Sequence, residues 1–195
     1  MGDLKHYGNY KLLAGVDEVG VGAIAGPVVC AAVILLPDFT SPLIKDSKLL
    51  KEKQLIEAYS LIEKNAISIS VLPASAKEVN SSSVHDVTKK LLAEAVKKLS
   101  VQPEHVLIDG LDKPIGLKLP FTCLPGADNT FLCVAAASIV AKVRRDDYMR
   151  RIHDLHPNYD WFNNKGYGTY KHRVGLKEHG ITQYHRTKYV KSFLK

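Results

Sequence analysis

Apolar runs and amphipathic stretches alternate along the chain and predict its strands and helices. Five short runs predict strands at Leu12–Val16, Val28–Leu36, Ala66–Val71, His105–Asp109 and Phe121–Leu124. Apolar residues at helical spacing predict helices over Lys51–Glu63, over Val84–Leu99, from about Thr130 to near His156, and over Tyr170–His179. Because Val28–Leu36 is apolar almost throughout, we expect a buried central strand that pairs with the first one.

Length and composition indicate a single globular protein. The chain has 195 residues, of which 46% are hydrophobic and 24% charged, which is enough to bury a sizeable core. No apolar run reaches the roughly 18 residues of a membrane span, and the start Met1–His6 has no signal-peptide core. We therefore expect a cytoplasmic protein with no membrane association.

The net charge and the cysteines further restrict the class of protein. The net charge of +7 suits a polyanionic partner such as a nucleic acid, although many basic proteins bind none. Cys30, Cys123 and Cys133 are odd in number and widely separated among apolar neighbours, which predicts reduced thiols rather than disulfides or a cysteine-rich metal site.

Four acidic residues stand at positions that suit a ligand. Asp17 and Glu18 follow the first apolar run and precede a glycine-rich turn, Asp109 ends another predicted strand, and Asp128 precedes the long helix. Carboxylate oxygens select hard cations such as Mg²⁺ or Mn²⁺. A turn or cap role is the favoured explanation for Asp17, Asp109 or Asp128 taken alone, and spacing alone does not bring the four acids together.

Six sequence blocks, in order, resemble the signature blocks of bacterial ribonuclease HII. They are Gly15–Gly20, Ala25–Val29, Asp46–Lys48, Ile108–Gly110, Ala135–Val143 with Arg145-Asp146, and Lys165–Thr169. The resemblance extends from about Leu13 to Arg186, and six ordered blocks are far more specific than one glycine motif.

This resemblance implies an α/β ribonuclease H-like fold, with a central mixed β-sheet flanked by helices. Residues 1–156 would form the catalytic domain and residues 157–195 a small helical C-terminal extension packed on it, as one structural unit. The implied activity is endonucleolytic cleavage of the RNA strand of RNA–DNA hybrids, and incision 5′ of single ribonucleotides embedded in duplex DNA, leaving 5′-phosphate and 3′-hydroxyl ends. The implied catalytic and metal-binding residues, which would hold two Mg²⁺ or Mn²⁺ ions in a monomer, are Asp17, Glu18, Asp109 and Asp128.

The resemblance also implies a surface that reads the junction between RNA and DNA. The implied substrate-binding residues are Gly20, Val21, Gly22, Lys48, Ser138, Lys142, Tyr167 and Arg186. One position departs from the family, because Val21 stands where an arginine is usual and cannot supply a guanidinium to a phosphate. Two alternatives therefore stay open, namely a catalytically weak hybrid-binding protein and an enzyme that cuts long hybrids without preferring the junction.

Overall fold

The computed structural model describes residues 10–193, and the start Met1–His6 lies outside them. The strands are β1 (Leu13–Val19), β2 (Val28–Leu35), β3 (Ala66–Ala74), β4 (His105–Asp109) and β5 (Phe121–Leu124). The helices are α1 (Glu52–Asn65), α2 (Ala76–Ser81), α3 (Val84–Lys97), α4 (Leu132–Leu155), α5 (Trp161–Asn164), α6 (Tyr170–His179) and α7 (Thr187–Val190). No helix in this part of the chain has the length and apolar character needed to cross a membrane.

The five strands form one mixed sheet in the order β3-β2-β1-β4-β5. Strand β1 pairs antiparallel with β2 and parallel with β4, while β4 pairs parallel with β5. All eight residues of β2 are buried, which confirms the predicted central strand beside the first. Pro73 is accommodated in β3 because this strand lies at the edge of the sheet, where a missing N–H costs no ladder hydrogen bond.

Helices cover both faces of the sheet. Helix α4 and α1 enclose one apolar cluster with β2, and α3 encloses a second cluster on the opposite face. The predicted apolar stripe of α3 faces the sheet through residues such as Leu92 and Val96. Gly15 of β1 allows α4 to approach closely, because a Cβ at this position would lie 2.1 Å from the backbone carbon of Cys133.

The C-terminal segment packs on the second half of α4. Met149 of α4 joins Trp161, Leu176 and Val190 in a buried cluster that also includes Ile24, from the loop after β1. The segment is thereby attached both to the long helix and to the residues that follow the first strand.

Some element boundaries differ from those predicted. Strand β1 continues to Val19, three residues beyond the predicted end, because Asp17 and Glu18 pair with Ala31 and Cys30 of β2. The short helices α5 and α7, of four residues each, were not predicted, since four residues are too few to show a helical period. In contrast, α6 has the predicted bounds and its C-cap is Gly180.

Candidate active site

Two of the four predicted acids lie side by side because of the parallel pairing of β1 and β4. Val16 of β1 is the partner of Ile108 of β4, and Asp17 and Asp109 are the next residues of the two strands. Side chains at matching positions of parallel strands lie on the same face of the sheet. Positions separated by 92 residues in the sequence, 17 and 109, are thus neighbours in the fold.

Asp17 is buried between the sheet and α4. Its Oδ1 accepts a hydrogen bond of 2.7 Å from the backbone N–H of Glu18. Burial raises the pKa of the Asp17 carboxyl well above its usual range, and the charges of Glu18 and Asp109 raise it further. The hydroxyl of Ser138 on α4 opposes this rise in the pKa by hydrogen bonding to the carboxylate, and it also lies 3.0 Å from the hydroxyl of Ser47. Ser138 therefore belongs to the surroundings of Asp17.

Glu18 follows Asp17 on β1 and is partly buried. Burial raises the pKa of the Glu18 carboxyl to about 7, and the charges of Asp109 and Asp112 contribute to the increase. Asp112 was not singled out from the sequence. It lies three residues beyond Asp109, forms an ion pair with Lys89 at 3.4 Å, and has Nδ1 of His85 3.3 Å from its Oδ2.

Asp128 reaches the same place from a short 3₁₀ turn, Ala127–Asn129. This turn is fixed to β4 because the backbone N–H of Ala127 donates to Oδ1 of Asp109 at 2.7 Å. Oδ2 of Asp128 is buried and accepts no hydrogen bond, and the exposed Lys48 places its Nζ 3.7 Å away. Burial raises the pKa of Asp128, and the charge of Asp109 raises it further.

The donor set suits a hard divalent cation. Three carboxyl groups, those of Asp17, Glu18 and Asp128, lie within electrostatic range of Asp109, and one oxygen of Asp128 is buried without a hydrogen-bond partner, an arrangement that a cation would relieve. Within residues 10–193, however, no three His, Cys, Asp or Glu side chains are arranged so that they could hold a metal ion as they stand. The three aspartates each direct one oxygen, Oδ1, to a nearby N–H, at Glu18, Ala127 and Asn129 respectively.

The predicted glycine turn forms a loop, Gly20–Pro27, directly after β1; we call it the glycine loop. Gly20 and Gly26 have φ angles of 90° and 79°, which favour glycine. Val21 is half-buried against the apolar cluster of Val28, Val79 and Val84. Gly22 is exposed, so the tip of the loop presents main chain to solvent.

Tyr167 lies beside the glycine loop. The backbone N–H groups of Ile24 and Ala25 donate to the carbonyl oxygen of Gly166 at 2.9 and 3.1 Å. The Tyr167 ring is 40% exposed, and the guanidinium of Arg145 lies 5.4 Å from its centre. The predicted tyrosine and the predicted loop are therefore neighbours, and the aromatic ring is accessible.

Arg186 does not fit the prediction of a phosphate contact. It has no exposed surface, because its guanidinium lies behind the glycine loop and donates to the carbonyl oxygens of Gly26 and Val21. Arg145 lies equally buried behind the same loop and was assigned no role from the sequence. The signal that could have identified it is its position one helical turn after Ala141, on the buried face of α4.

Lys142 lies one helical turn after Ser138 on α4. Its Nζ donates to Oδ2 of Asp146 at 2.8 Å, and the side chain is partly exposed. Together with Lys165 and Arg150 it lines a cavity of about 220 Å³ between α1 and α4. The lining of this cavity also includes Glu52 and Asp146, so its charges are mixed.

Comparisons with known proteins identify the family and the fold. The family model described as Ribonuclease HII matches residues 14–192. A protein named Ribonuclease HII from Bacteroides thetaiotaomicron is 46% identical over 173 residues, covering 89% of this chain and 86% of the relative. The solved structure of ribonuclease H2 from Pyrococcus horikoshii has a TM-score of 0.81 at 24% identity and covers 94% of this chain and 97% of its own. That of Bst-RNase HIII in complex with Mn²⁺ has a TM-score of 0.75 at 20% identity, covering 91% and 67%.

Proposed function

The chain belongs to the ribonuclease HII family and is a ribonuclease H, an endonuclease for RNA in RNA–DNA hybrids, and we propose that it also incises duplex DNA 5′ of a single embedded ribonucleotide. The products would carry 5′-phosphate and 3′-hydroxyl ends. The observation that carries the proposal is the grouping of Asp17, Glu18 and Asp128 around Asp109.

In this proposal, the four acids hold two divalent ions, either Mg²⁺ or Mn²⁺. The Oδ2 of Asp128, which accepts no hydrogen bond, and the mutual repulsion of the carboxylates support cation uptake. The Mn²⁺ of Bst-RNase HIII is a property of that protein and is consistent with the proposal. When bound, such ions activate water and neutralise the negative charge that develops on the scissile phosphate.

The protein's own residues position the reactants. Ser138 orients the Asp17 carboxylate by a hydrogen bond, and its own hydroxyl is supported by Ser47. Lys48, being 77% exposed and 3.7 Å from Asp128, can contact a phosphate at the edge of the acidic group. Lys142 offers a second cation on the same helix face as Ser138.

Recognition of the junction is assigned to the glycine loop and Tyr167. The exposed main chain at Gly22 can approach a ribose closely, and the 2′-hydroxyl is the group that distinguishes RNA from DNA. The Tyr167 ring is accessible for contact with a sugar. Val21 contributes no ionic contact, so recognition in this chain depends on main-chain hydrogen bonds and on the tyrosine.

The four clustered acids favour a nuclease over a protein that only binds hybrids, because binding alone does not require repelling carboxylates to be held together. The alternative of an enzyme without junction preference is still supported by the valine at position 21. That alternative shares the hydrolytic site and differs only in the substrate it selects.

A labelled DNA duplex with one ribonucleotide tests the proposal, with an all-DNA duplex and a continuous RNA–DNA hybrid as controls. We expect cleavage of the hybrid, a single cut 5′ of the ribonucleotide, and no cut in the all-DNA duplex. Cleavage of the hybrid without incision at the single ribonucleotide would overturn the junction function and support the enzyme without junction preference.

A further inference from the structure

We propose that Arg145 and Arg186 are positioning residues that set the conformation of the glycine loop for junction recognition. The proposal rests on the function proposed above. It assigns to two buried arginines, neither of which presents its guanidinium to solvent, the task of holding the main chain that reads the ribonucleotide.

Arg186 holds the loop from the C-terminal segment. Its Nε donates to the carbonyl oxygen of Gly26 at 3.0 Å, and its NH1 donates to that of Val21 at 2.9 Å. Its backbone N–H also donates to the carbonyl oxygen of Ile24 at 2.8 Å. One planar guanidinium therefore joins both ends of the loop, which a flexible lysine ammonium cannot do with the same fixed geometry.

Arg145 holds the same loop from helix α4. Its Nε donates to the carbonyl oxygen of Pro27 at 2.9 Å and its NH2 to that of Ala25 at 3.3 Å. Gly20 packs directly on this side chain, because a Cβ there would lie 2.1 Å from the Arg145 Nε. The same guanidinium lies 5.4 Å from the centre of the Tyr167 ring, so Arg145 contacts both the glycine loop and Tyr167.

The burial of these two cations is unusual because neither forms a salt bridge with a carboxylate. Both have no exposed surface, and the salt bridges found among residues 10–193 involve neither of them. NH1 of Arg145 and NH2 of Arg186 are buried without hydrogen-bond partners. Burying charge without a carboxylate is costly, so general core packing does not account for two arginines here.

The hydrogen bonds of the two arginines to loop carbonyl oxygens, and their positive charge, have two effects on the glycine loop. The hydrogen bonds hold carbonyl oxygens of the loop pointing into the protein. The exposed main chain at Gly22 is thereby left free to face a ligand. The arginines also place positive charge behind a loop whose own tip has valine at position 21. In a low-dielectric surrounding such charge favours the approach of a phosphate more than it would in water.

The test compares Arg186→Lys and Arg145→Lys with the matched control Arg144→Lys, an exposed arginine next to Arg145 on α4. Each lysine keeps the positive charge and removes the planar arrangement of N–H donors that the guanidinium provides. Activity is measured on a duplex with one ribonucleotide and on a continuous hybrid, at a temperature below the thermal transition of every variant. We expect kcat on the single ribonucleotide to fall about 10-fold to 100-fold more than kcat on the hybrid, since a misplacement of about 1 Å has an effect of this size.

The outcomes separate this inference from the proposed function. An equal loss on both substrates, or no loss on either, would show that the arginines serve stability alone and would overturn the inference while leaving the junction function intact. Failure of the unmodified protein to incise at a single ribonucleotide would overturn the junction function, and this inference with it. A selective loss in either arginine variant, absent from Arg144→Lys, supports the inference.

Discussion

Asp17 and Asp109 lie next to each other on parallel strands, one residue beyond the paired Val16 and Ile108. This relationship places two carboxylates from distant parts of the sequence on the same side of the sheet. Glu18 and Asp128 complete the acidic group, the first by adjacency on β1 and the second through the turn bonded to Asp109. The acidic group is therefore built around this pair.

Gly15→Ala tests how much the close contact between β1 and α4 contributes to stability. The added Cβ would lie 2.1 to 2.4 Å from backbone atoms of Cys133 and Val134, which cannot move as freely as a side chain. We expect a loss of about 2 kcal/mol or more in the free energy of unfolding. Thermal denaturation would show this as a fall on the order of 5 °C.

The stability control for this variant is Gly22→Ala. Nothing lies within 4 Å of a Cβ at Gly22, so the thermal midpoint should change little. Equal destabilisation by the two substitutions would contradict the importance of the contact between β1 and α4.

Val21→Arg tests the contribution of the residue at which the chain departs from the family. An arginine at this half-buried position adds one cation beside the exposed Gly22 of the glycine loop. We expect tighter binding of the duplex with a single ribonucleotide, and a plot of log affinity against log salt that is steeper by about 1. Leu155→Arg, which adds the same charge at an exposed site on α4, is the control. If both variants steepen the salt dependence equally, position 21 has no special relation to the substrate.

Acid should destabilise the C-terminal segment through its buried histidines. Burial lowers the pKa of His185 to about 3, with contributions from the charges of His172 and His156, whereas an unfolded histidine titrates near about 6.5. Between these values the unfolded chain binds more protons. The free energy of unfolding should therefore fall as the pH falls through this window, by up to about 1.4 kcal/mol per pH unit.

The pH prediction is checked by urea denaturation at several pH values between about 6.5 and about 4. His185→Gln should show a shallower dependence than the unmodified protein. His179→Gln, at a partly exposed position, should leave the slope unchanged. A slope that is unaffected in His185→Gln would show that other groups, such as carboxylates, cause the acid sensitivity.

Most of the elements could be predicted from the sequence, because apolar periodicity reports which residues are buried. The helix Tyr170–His179 and the strand Phe121–Leu124 have the predicted bounds. The end of β1 could not be predicted in this way. Asp17 and Glu18 interrupt the apolar run, and only the pairing with β2 keeps them in the strand.

The acidic group was predicted from the resemblance rather than from spacing, since only the parallel register brings Asp109 beside Asp17. The burial of Arg186 could not be predicted from the sequence, because basic residues are ordinarily exposed. Its position depends on the bridge between Ala25 and His185, which joins residues from opposite ends of the chain.

The central claim is that the carboxylates around Asp109 form a divalent-ion site that cleaves RNA. The most direct measurement is cleavage of a continuous RNA–DNA hybrid by the unmodified protein and by Asp109→Asn, each with Mg²⁺, with Mn²⁺ and in excess EDTA. Asp154→Asn, at an exposed aspartate of α4, is the matched control. We predict product only when the ion and Asp109 are both present, with Asp154→Asn as active as the unmodified protein; product formed by Asp109→Asn in excess EDTA would contradict the account.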